Sequence, residues 1–196
     1  MLYIRECSKE CTNILSEVIG DVMEHYHTCY VNSCMTLGIC SGLIAYLNDD
    51  IAGVGVYYKV GTSPLRVGVI YYIAVRVGYR GLGIGKSLIA SVEELMLLND
   101  VDVYLATTRS GNKAVRKILS ELGYSEIRLD LLGRLSEIVK KLTCGYDDDL
   151  LYVKFKDMPQ ELMTPHVLAF LADPHNLELI NRLWRSICYD VWLSCR

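Results

Sequence analysis

Four closely spaced glycines are the residues of this sequence best suited to binding a ligand. Gly78, Gly81, Gly83 and Gly85 follow an apolar stretch, residues 67–77, that is dense in Val, Ile and Tyr, as a buried strand is. After them, apolar residues recur at the spacing of one helix face: Ile84, Leu88, Ile89, Val92, Leu95 and Met96. Glycines let a backbone approach a ligand closely, and the N–H groups and dipole of a helix N-terminus attract an anion. The pattern therefore predicts a strand, a phosphate-binding turn and a helix.

The spacing of the glycines distinguishes between classes of phosphate-binding turn. A nucleoside triphosphate loop needs a glycine five positions before Gly85, and Arg80 stands there. A dinucleotide-binding turn needs a glycine at position 86 or 88, and these positions hold Lys86 and Leu88. Both nucleotide classes are therefore excluded.

A third pattern, Arg/Gln-x-x-Gly-x-Gly/Ala, fits without exception. The chain matches it at residues 80–85, as Arg-Gly-Leu-Gly-Ile-Gly, after the hydrophobic Ile-Ala-Val of residues 73–75. This segment resembles the acetyl-coenzyme A signature of the GNAT superfamily of N-acetyltransferases. A second marker agrees, because Asn112 is followed eleven residues later by Gly123-Tyr124, where GNAT members carry Asn and Gly-Phe. The resemblance covers approximately residues 1–156 and is specific over residues 73–124.

The resemblance implies acetyl-coenzyme A as the cofactor. The residues that it implies for cofactor binding are Ile73, Ala74, Val75, Arg80, Gly81, Leu82, Gly83, Ile84, Gly85, Lys86, Ser87 and Asn112. By the same resemblance, backbone amides of residues 82–86 hold the pyrophosphate, and the backbone of residues 74–75 aligns the pantetheine. An amine from a small molecule, a protein N-terminus or a lysine then attacks the thioester directly, without a covalent enzyme intermediate.

The side chains that the family uses for proton transfer are missing from their usual positions. Members with a strand carboxylate carry it shortly before position 73, but residues 67–77 contain no Asp or Glu. The tyrosine that protonates coenzyme A in the family would stand seven residues after Asn112, at Leu119. A catalytically weak or inactive acyl-coenzyme A-binding module, with a regulatory or assembly role, is therefore the alternative to an active enzyme.

Tyr71 and Tyr72 are the catalytic candidates that the strand offers in place of a carboxylate. As neighbours in a strand they are predicted to point to opposite faces, so that one of them faces the acceptor. A tyrosine near its ordinary pKa of about 10 is a proton donor rather than a base at neutral pH. Further candidates lie on the neighbouring strand and at the end of the first helix: Tyr57, Tyr58, Glu24, His25 and His27.

The elements that must position these residues indicate an α/β (α+β) fold. Hydrophobic periodicity predicts an N-terminal strand, a helix that runs toward Tyr26, a hairpin that turns at residues 48–50, and then the strand, glycine turn and helix. Residues 30–39 show no clear period, which is typical of a loop or a short helix. The resemblance implies a GNAT-like mixed, mostly antiparallel central sheet flanked by helices over residues 1–156.

Residues 157–196 lie outside the resemblance and are predicted to form a C-terminal helical extension. Thr164-Pro165 and Asp173-Pro174 each combine a helix N-cap with a first-turn proline. One face of the second predicted helix carries two tryptophans, Trp184 and Trp192. This face is expected to pack on the domain, to form a homodimer contact or to cover the acceptor site.

Composition limits the partners and the location. A net charge of −3 argues against nonspecific nucleic-acid binding. No apolar run reaches the roughly 18 residues of a membrane span, and the N-terminus lacks the hydrophobic stretch of a signal peptide, which together predict a cytoplasmic protein without a membrane partner. The eight cysteines lack the paired Cys-x2-Cys knuckles of structural zinc sites, so packed or isolated thiols are favoured over a metal site, and whether any of the cysteines form disulfides stays open.

Overall fold

The structure, a computed structural model, describes residues 1–157, 159 and 165–195. In this part of the chain seven strands form one sheet. They are β1 (Leu2–Cys7), β2 (Cys40–Leu47), β3 (Asp50–Val60), β4 (Val67–Val75), β5 (Val103–Thr108), β6 (Ser125–Arg128) and β7 (Leu150–Phe155). Their order in the sheet is β1-β2-β3-β4-β5-β7-β6. β4 pairs with β5 in parallel, whereas β1 with β2, β2 with β3, β5 with β7 and β6 with β7 are antiparallel. The predicted mixed, mostly antiparallel sheet is confirmed.

Helices flank this sheet, as predicted. They are α1 (Thr12–Val22), α2 (Tyr26–Thr36), α3 (Ile84–Leu97), α4 (Lys113–Glu121), α5 (Arg134–Thr143), α6 (Pro174–Trp184) and α7 (Asp190–Ser194). Shorter 3-10 helices cover Lys9–Cys11, Val77–Tyr79, Leu129–Leu132 and Pro165–Ala172, and a π-helical turn covers Arg185–Tyr189. Helices α6 and α7 confirm the C-terminal helical extension. The predicted N-cap at Asp173 is also confirmed, because its carboxylate accepts the amide of His175 at 2.9 Å; the other predicted cap, Thr164, lies outside the described residues.

The chain divides into two compact units, of which the first comprises Met1–Tyr58, Ile70–Leu95 and Ser186–Arg196. Its strands β1, β2 and β3 form a meander with the registers Leu2↔Leu47 and Leu47↔Asp50. The hairpin between β2 and β3 turns at Asn48 and Asp49, whose φ angles of 52° and 70° are those that a tight two-residue turn requires. The predicted hairpin is confirmed.

The second unit comprises Lys59–Val69 and Met96–Arg185. Here the start of β4 runs parallel to β5, from Val67↔Val103 to Val69↔Leu105, and β7 lies between β5 and β6. Helices α4, α5 and α6 contribute buried apolar side chains to this unit: Leu119, Val139, Leu142 and Ile180. The proposed boundary between residues 1–156 and 157–196 stays a prediction.

Cysteines of the first unit form disulfides, a question that the sequence left open. The bonds are Cys7–Cys11, Cys34–Cys40 and Cys29–Cys195, and no described cysteine is a free thiol. The Cα atoms of Cys29 and Cys195 lie 6.4 Å apart although 166 residues separate them in the chain. Sequence spacing alone cannot show which cysteines the fold brings within bonding distance, above all for a pair as far apart in the chain as Cys29 and Cys195.

The described residues lack both a membrane-spanning helix and a cluster of metal ligands. They contain no helix long and apolar enough to cross a membrane. They also hold no group of three or more His, Cys, Asp or Glu residues arranged to bind a metal ion.

Candidate active site

The glycine turn after β4 has the backbone geometry that the sequence predicted. Gly81 and Gly83 adopt φ angles of +80° and +79°, in the left-handed region that favours glycine. A Cβ atom added to either residue would meet no protein atom within 4 Å. Glycine is therefore required here by the backbone conformation and not by crowding, and the space in front of the turn is open to a ligand.

Helix α3 begins directly after this turn, at Ile84. The amide of Ser87 donates to the carbonyl of Gly83 at 3.0 Å and makes the first hydrogen bond of the helix. The amides of Ile84 and Gly85 precede that bond, so they have no acceptor within the helix. The first turn contains no acidic side chain, which leaves the positive end of the helix dipole uncompensated by a local carboxylate. This arrangement suits a bound phosphate.

Strand β4 is fixed where it leads into the turn. A Cβ atom on Gly53 of β3 would lie 2.7 Å from the carbonyl oxygen of Ala74, so only glycine permits this close approach. The guanidinium of Arg76 pairs with Glu17 and Asp21 of α1. Arg80 donates through Nε to the carbonyl of Val75 at 3.2 Å. These contacts hold the end of the strand in one position relative to the turn.

An aromatic cluster, called here the tyrosine cluster, surrounds the middle of β4. It consists of Tyr26, His27 and Tyr30 of α2, Tyr58 of β3, and Tyr71 and Tyr72 of β4. Within it, the Nδ1 atom of His27 lies 3.1 Å from the hydroxyl oxygen of Tyr72, within hydrogen-bonding distance. The structure thus places His27, one of the three predicted base candidates, in contact with Tyr72, one of the two predicted catalytic tyrosines.

The two tyrosines of β4 do not point to opposite faces, and that prediction was wrong. The ring centroids of Tyr71 and Tyr72 lie 4.4 Å apart at an interplanar angle of 49°. A regular strand places successive side chains on opposite faces, so the alternation is broken at this point of β4. Both rings therefore belong to one cluster, and Tyr71 also meets Tyr58 edge to face at 5.3 Å.

Burial determines the protonation of the inner tyrosines. Burial raises the pKa of Tyr71 well above its ordinary value, and the neighbouring Tyr72, Tyr58 and Tyr30 raise it further. Burial likewise raises the pKa of Tyr58, with a further contribution from Tyr72. Both hydroxyls are therefore neutral at physiological pH. The hydroxyl of Tyr71 is buried, and a hydrogen bond with the hydroxyl of Tyr72 contributes to its raised pKa.

The remaining candidates lie outside the tyrosine cluster. Tyr57 donates its hydroxyl to the carboxylate of Glu6 at 2.6 Å. Glu24 and His25, at the start of α2, are exposed. Of the three candidate bases Glu24, His25 and His27, the structure thus places His27, in the first turn of α2, against a tyrosine of β4.

Asn112 is the N-cap of α4 in the structure. Its side-chain oxygen accepts the amide of Val115 at 3.4 Å, and its side-chain amide donates to the hydroxyl of Thr108 at 3.2 Å. Leu119, which stands where the family carries its tyrosine, is fully buried as a packing residue. The assignment of Asn112 to cofactor binding stays a prediction, since its contacts within the protein already explain an asparagine here.

Sequence reasoning missed two members of the cluster, Tyr26 and Tyr30. Their i, i+4 spacing puts them on one face of a helix, and their rings meet edge to face at 6.1 Å. That spacing was available in the sequence. The sequence does not predict one helix through both residues, because the first predicted helix runs only toward Tyr26 and residues 30–39 show no clear apolar period.

The fold and the turn together define a class of protein. A mixed sheet whose central strand leads through left-handed glycines into a helix N-terminus is the architecture of acetyl-coenzyme A-dependent acetyltransferases. The chain belongs to the Acetyltransferase (GNAT) family, whose family model matches residues 14–124, more than half of its 196 residues.

Solved structures agree with this assignment at the level of the fold. A GNAT-family acetyltransferase from Staphylococcus aureus Mu50 has 17% identity and a TM-score of 0.60, and the match covers 79% of this chain and 99% of that chain. The ribosomal-protein-alanine N-acetyltransferase from Brucella melitensis biovar Abortus 2308 has 16% identity, a TM-score of 0.55 and coverage of 64% and 93%. An aminoglycoside acetyltransferase from an uncultured soil metagenomic sample, in complex with sisomicin, has 14% identity, a TM-score of 0.53 and coverage of 62% and 87%. A search of curated protein sequences gives no match.

Proposed function

We propose that the protein is an N-acetyltransferase that transfers an acetyl group from acetyl-coenzyme A to a primary amine by direct attack, with His27 and Tyr72 relaying the proton. The observation that carries this proposal is the 3.1 Å contact between Nδ1 of His27 and the hydroxyl of Tyr72 on the strand that leads into the glycine turn. Membership of the GNAT family supports the reaction class.

The residues of the turn fit the cofactor that the family implies. The pyrophosphate would lie against the backbone amides of residues 82–86, because the left-handed glycines leave open space there and the first turn of α3 carries no acidic side chain. The backbone of Ile73, Ala74 and Val75 would align the pantetheine. When bound, acetyl-coenzyme A supplies the thioester carbonyl that the amine attacks.

The tyrosine cluster would manage the proton of the acceptor. An ammonium group must lose a proton before its nitrogen can attack a carbonyl, and a histidine is suited to accept a proton near neutral pH. In this scheme the amine gives its proton to the oxygen of Tyr72 while the hydroxyl proton of Tyr72 passes to Nδ1 of His27. The neutral hydroxyl of Tyr71 would donate a hydrogen bond to the departing thiolate.

The acceptor stays open among a small-molecule amine, a protein N-terminus and a lysine. Two proteins of the same fold are named for different acceptors, an alanine of a ribosomal protein and an aminoglycoside. The fold by itself therefore does not narrow the choice of amine.

A test of this function measures release of coenzyme A with a panel of amines. The panel includes peptides with a free N-terminus, peptides with an internal lysine, an aminoglycoside and a polyamine. We expect turnover with at least one amine, and a loss of about 100-fold or more in kcat/KM for Tyr72→Phe. Tyr57→Phe is the matched control, because Tyr57 lies outside the cluster and bonds Glu6.

The second candidate function is an acyl-coenzyme A-binding module that does not turn over. It is favoured by the absence of a carboxylate from residues 67–77 and by Leu119 at the position of the family tyrosine. Tight binding of acetyl-coenzyme A without turnover across the whole panel would support this candidate over the enzyme.

A homodimer through the C-terminal helices also remains a proposal. Its support is an exposed apolar surface at the end of the chain that comprises Tyr189, Trp192 and Leu193. Light scattering during size-exclusion chromatography tests it, with Trp192→Glu expected to convert a dimer to a monomer. A monomeric wild type at all concentrations would show the proposal to be wrong.

The cytoplasmic location likewise stays a prediction. The disulfides bear on it, because intracellular disulfides are found chiefly in hyperthermophiles.

A further inference from the structure

We infer that the disulfide between Cys29 and Cys195 positions His27 against Tyr72, which makes the C-terminal segment Ser186–Cys195 a functional part of the active site. The inference rests on the proposed function, in which His27 accepts the proton. Cys29 and Cys195 are positioning residues in it, since they act through the helix that carries His27.

Helix α2 has little intrinsic stability. Its eleven residues, Tyr-His-Thr-Cys-Tyr-Val-Asn-Ser-Cys-Met-Thr, include one strong helix former, a methionine, and several residues of low helix propensity. The residue before it, His25, makes no side-chain capping bond. Isolated helices of this length are marginal in water, so α2 depends on contacts with the rest of the protein.

The two ends of α2 are held differently. The C-terminal half buries Val31, Cys34 and Met35 completely, and Cys34 is bonded to Cys40 at the start of β2. The N-terminal half, residues 26–30, contains only half-buried side chains. In that half the covalent anchor is the bond from Cys29 to Cys195.

This anchor lies on the side of the helix away from Tyr72. Residues i and i+2 of an α-helix point about 200° apart, because each residue turns the helix by about 100°. His27 faces Tyr72, and Cys29 therefore points toward the opposite side, where Cys195 holds it. The start of α2 is thus clamped between β4 and the C-terminal segment.

The C-terminal segment is itself anchored firmly enough to serve as a clamp. Ile187, Cys188 and Val191 are buried. The hydroxyl of Ser33 on α2 also donates to the carbonyl of Ser186 at 3.4 Å. A displacement of about 1 Å in a catalytic group can cost about 100-fold in rate, so loss of the clamp should affect catalysis before it affects the fold.

The test compares two pairs of cysteine variants. In Cys29→Ser/Cys195→Ser we expect kcat to fall about 10- to 100-fold, with the KM for acetyl-coenzyme A unchanged and with the acid limb of the pH–rate profile displaced. Cys7→Ser/Cys11→Ser removes a disulfide of the same unit that does not involve α2, and we expect it to keep the wild-type pH profile. Wild-type kcat and pH profile in a folded Cys29→Ser/Cys195→Ser protein would overturn the inference.

Mild reduction of the wild type provides a second measurement should the double variant not fold. A dithiol breaks the S–S bond of Cys29 and Cys195 into two thiols and is itself oxidised to a disulfide. Both of these cysteines are half-buried, whereas the other two defined disulfides of the unit contain buried cysteines, so this bond should be reduced first. Alkylation with mass spectrometry identifies the opened bond. Activity that falls with its opening and returns on reoxidation supports the inference, and activity that does not change contradicts it.

An NMR titration separates failure of this inference from failure of the proposed function. The imidazole of His27, assigned with a His27→Gln variant, should titrate differently in the wild type and in Cys29→Ser/Cys195→Ser, and the ring signals of the exposed His25 serve as the control. A wild type without turnover on any amine would refute the function and leave this measurement valid. Identical His27 titrations would refute the positioning role alone.

Discussion

The hydroxyl of Tyr72 on β4 and the Nδ1 atom of His27 on α2 lie 3.1 Å apart, although 45 residues separate them in the chain. Their rings meet edge to face with centroids 5.5 Å apart. Strand β4 contains no carboxylate that could act as a base. In the described tyrosine cluster, His27 is the group that can accept a proton near neutral pH, and the hydroxyl of Tyr72 is in contact with it. The pH dependence of the reaction should therefore carry the signature of a histidine.

A substitution of His27 should remove that signature. Histidine ordinarily loses its proton near pH 6.5, and only the neutral ring can accept a proton from the acceptor. We expect kcat/KM of the wild type to show an acid limb, and His27→Gln to lower kcat/KM about 100-fold and to flatten that limb. His25→Gln, a change at an exposed neighbour, should keep the wild-type profile. The same acid limb in His27→Gln would assign the base to another group.

Substitutions of Gly83 in the glycine turn should weaken the binding of acetyl-coenzyme A, because the backbone conformation of this residue disfavours a side chain. Gly83 has a φ angle of +79°, and a side chain in this left-handed conformation costs about 1 kcal/mol. We expect Gly83→Ala to weaken acetyl-coenzyme A by about tenfold in a calorimetric titration, because its Cβ atom enters the space open to the ligand. Gly83→Asp should abolish binding, since it adds a negative charge at the phosphate site.

Gly78 supplies the matched control for that titration. It is exposed, a Cβ atom there would meet no protein atom within 4 Å, and its φ angle is not in the left-handed region. Gly78→Ala should therefore bind acetyl-coenzyme A as the wild type does. Unchanged affinity in Gly83→Asp would refute the phosphate-binding role of the turn.

The parts of this site that the sequence could predict are those that local rules determine. The glycine turn and the start of α3 depend on neighbouring residues, and glycine spacing with apolar periodicity was sufficient to place them. The contact of His27 with Tyr72 and the bond of Cys29 with Cys195 depend on tertiary folding, which brings together residues distant in the chain. The sequence did not predict that the side chains of Tyr71 and Tyr72 lie on the same side of β4. A local irregularity of this strand overrides the alternation of side chains that a regular strand shows.

The buried tyrosines should make the protein sensitive to alkali. Burial raises the pKa of Tyr58 and Tyr71 above the value of about 10 that tyrosine has in an unfolded chain. Above pH 10 the unfolded chain loses these protons and the folded protein keeps them, so the free energy of unfolding falls as the pH rises toward the folded pKa values. Below pH 10 this stabilising contribution is present in full.

Urea unfolding between pH 9 and 11.5 measures this effect. Each retained proton contributes a slope of about 1.4 kcal/mol per pH unit at 25 °C. We expect Tyr58→Phe to reduce the slope above pH 10 by about one such contribution, whatever it does to stability at neutral pH. Tyr3→Phe, a change at an exposed ring, is the control and should leave the slope as it is in the wild type. Equal slopes in all three proteins would contradict the raised pKa of Tyr58.

Asn112 allows a structural role to be separated from a cofactor role. Asn112→Ala removes the acceptor that caps α4, and we expect the free energy of unfolding to fall by about 1 kcal/mol in urea. Asn112→Asp keeps an oxygen for the amide of Val115 but loses the donor to Thr108, so its stability should lie close to that of the wild type. If Asn112 also contacts the cofactor, as the family resemblance implies, Asn112→Asp should weaken acetyl-coenzyme A while the protein stays stable. If both variants bind acetyl-coenzyme A with wild-type affinity, Asn112 serves this protein as a helix cap and not as a cofactor ligand.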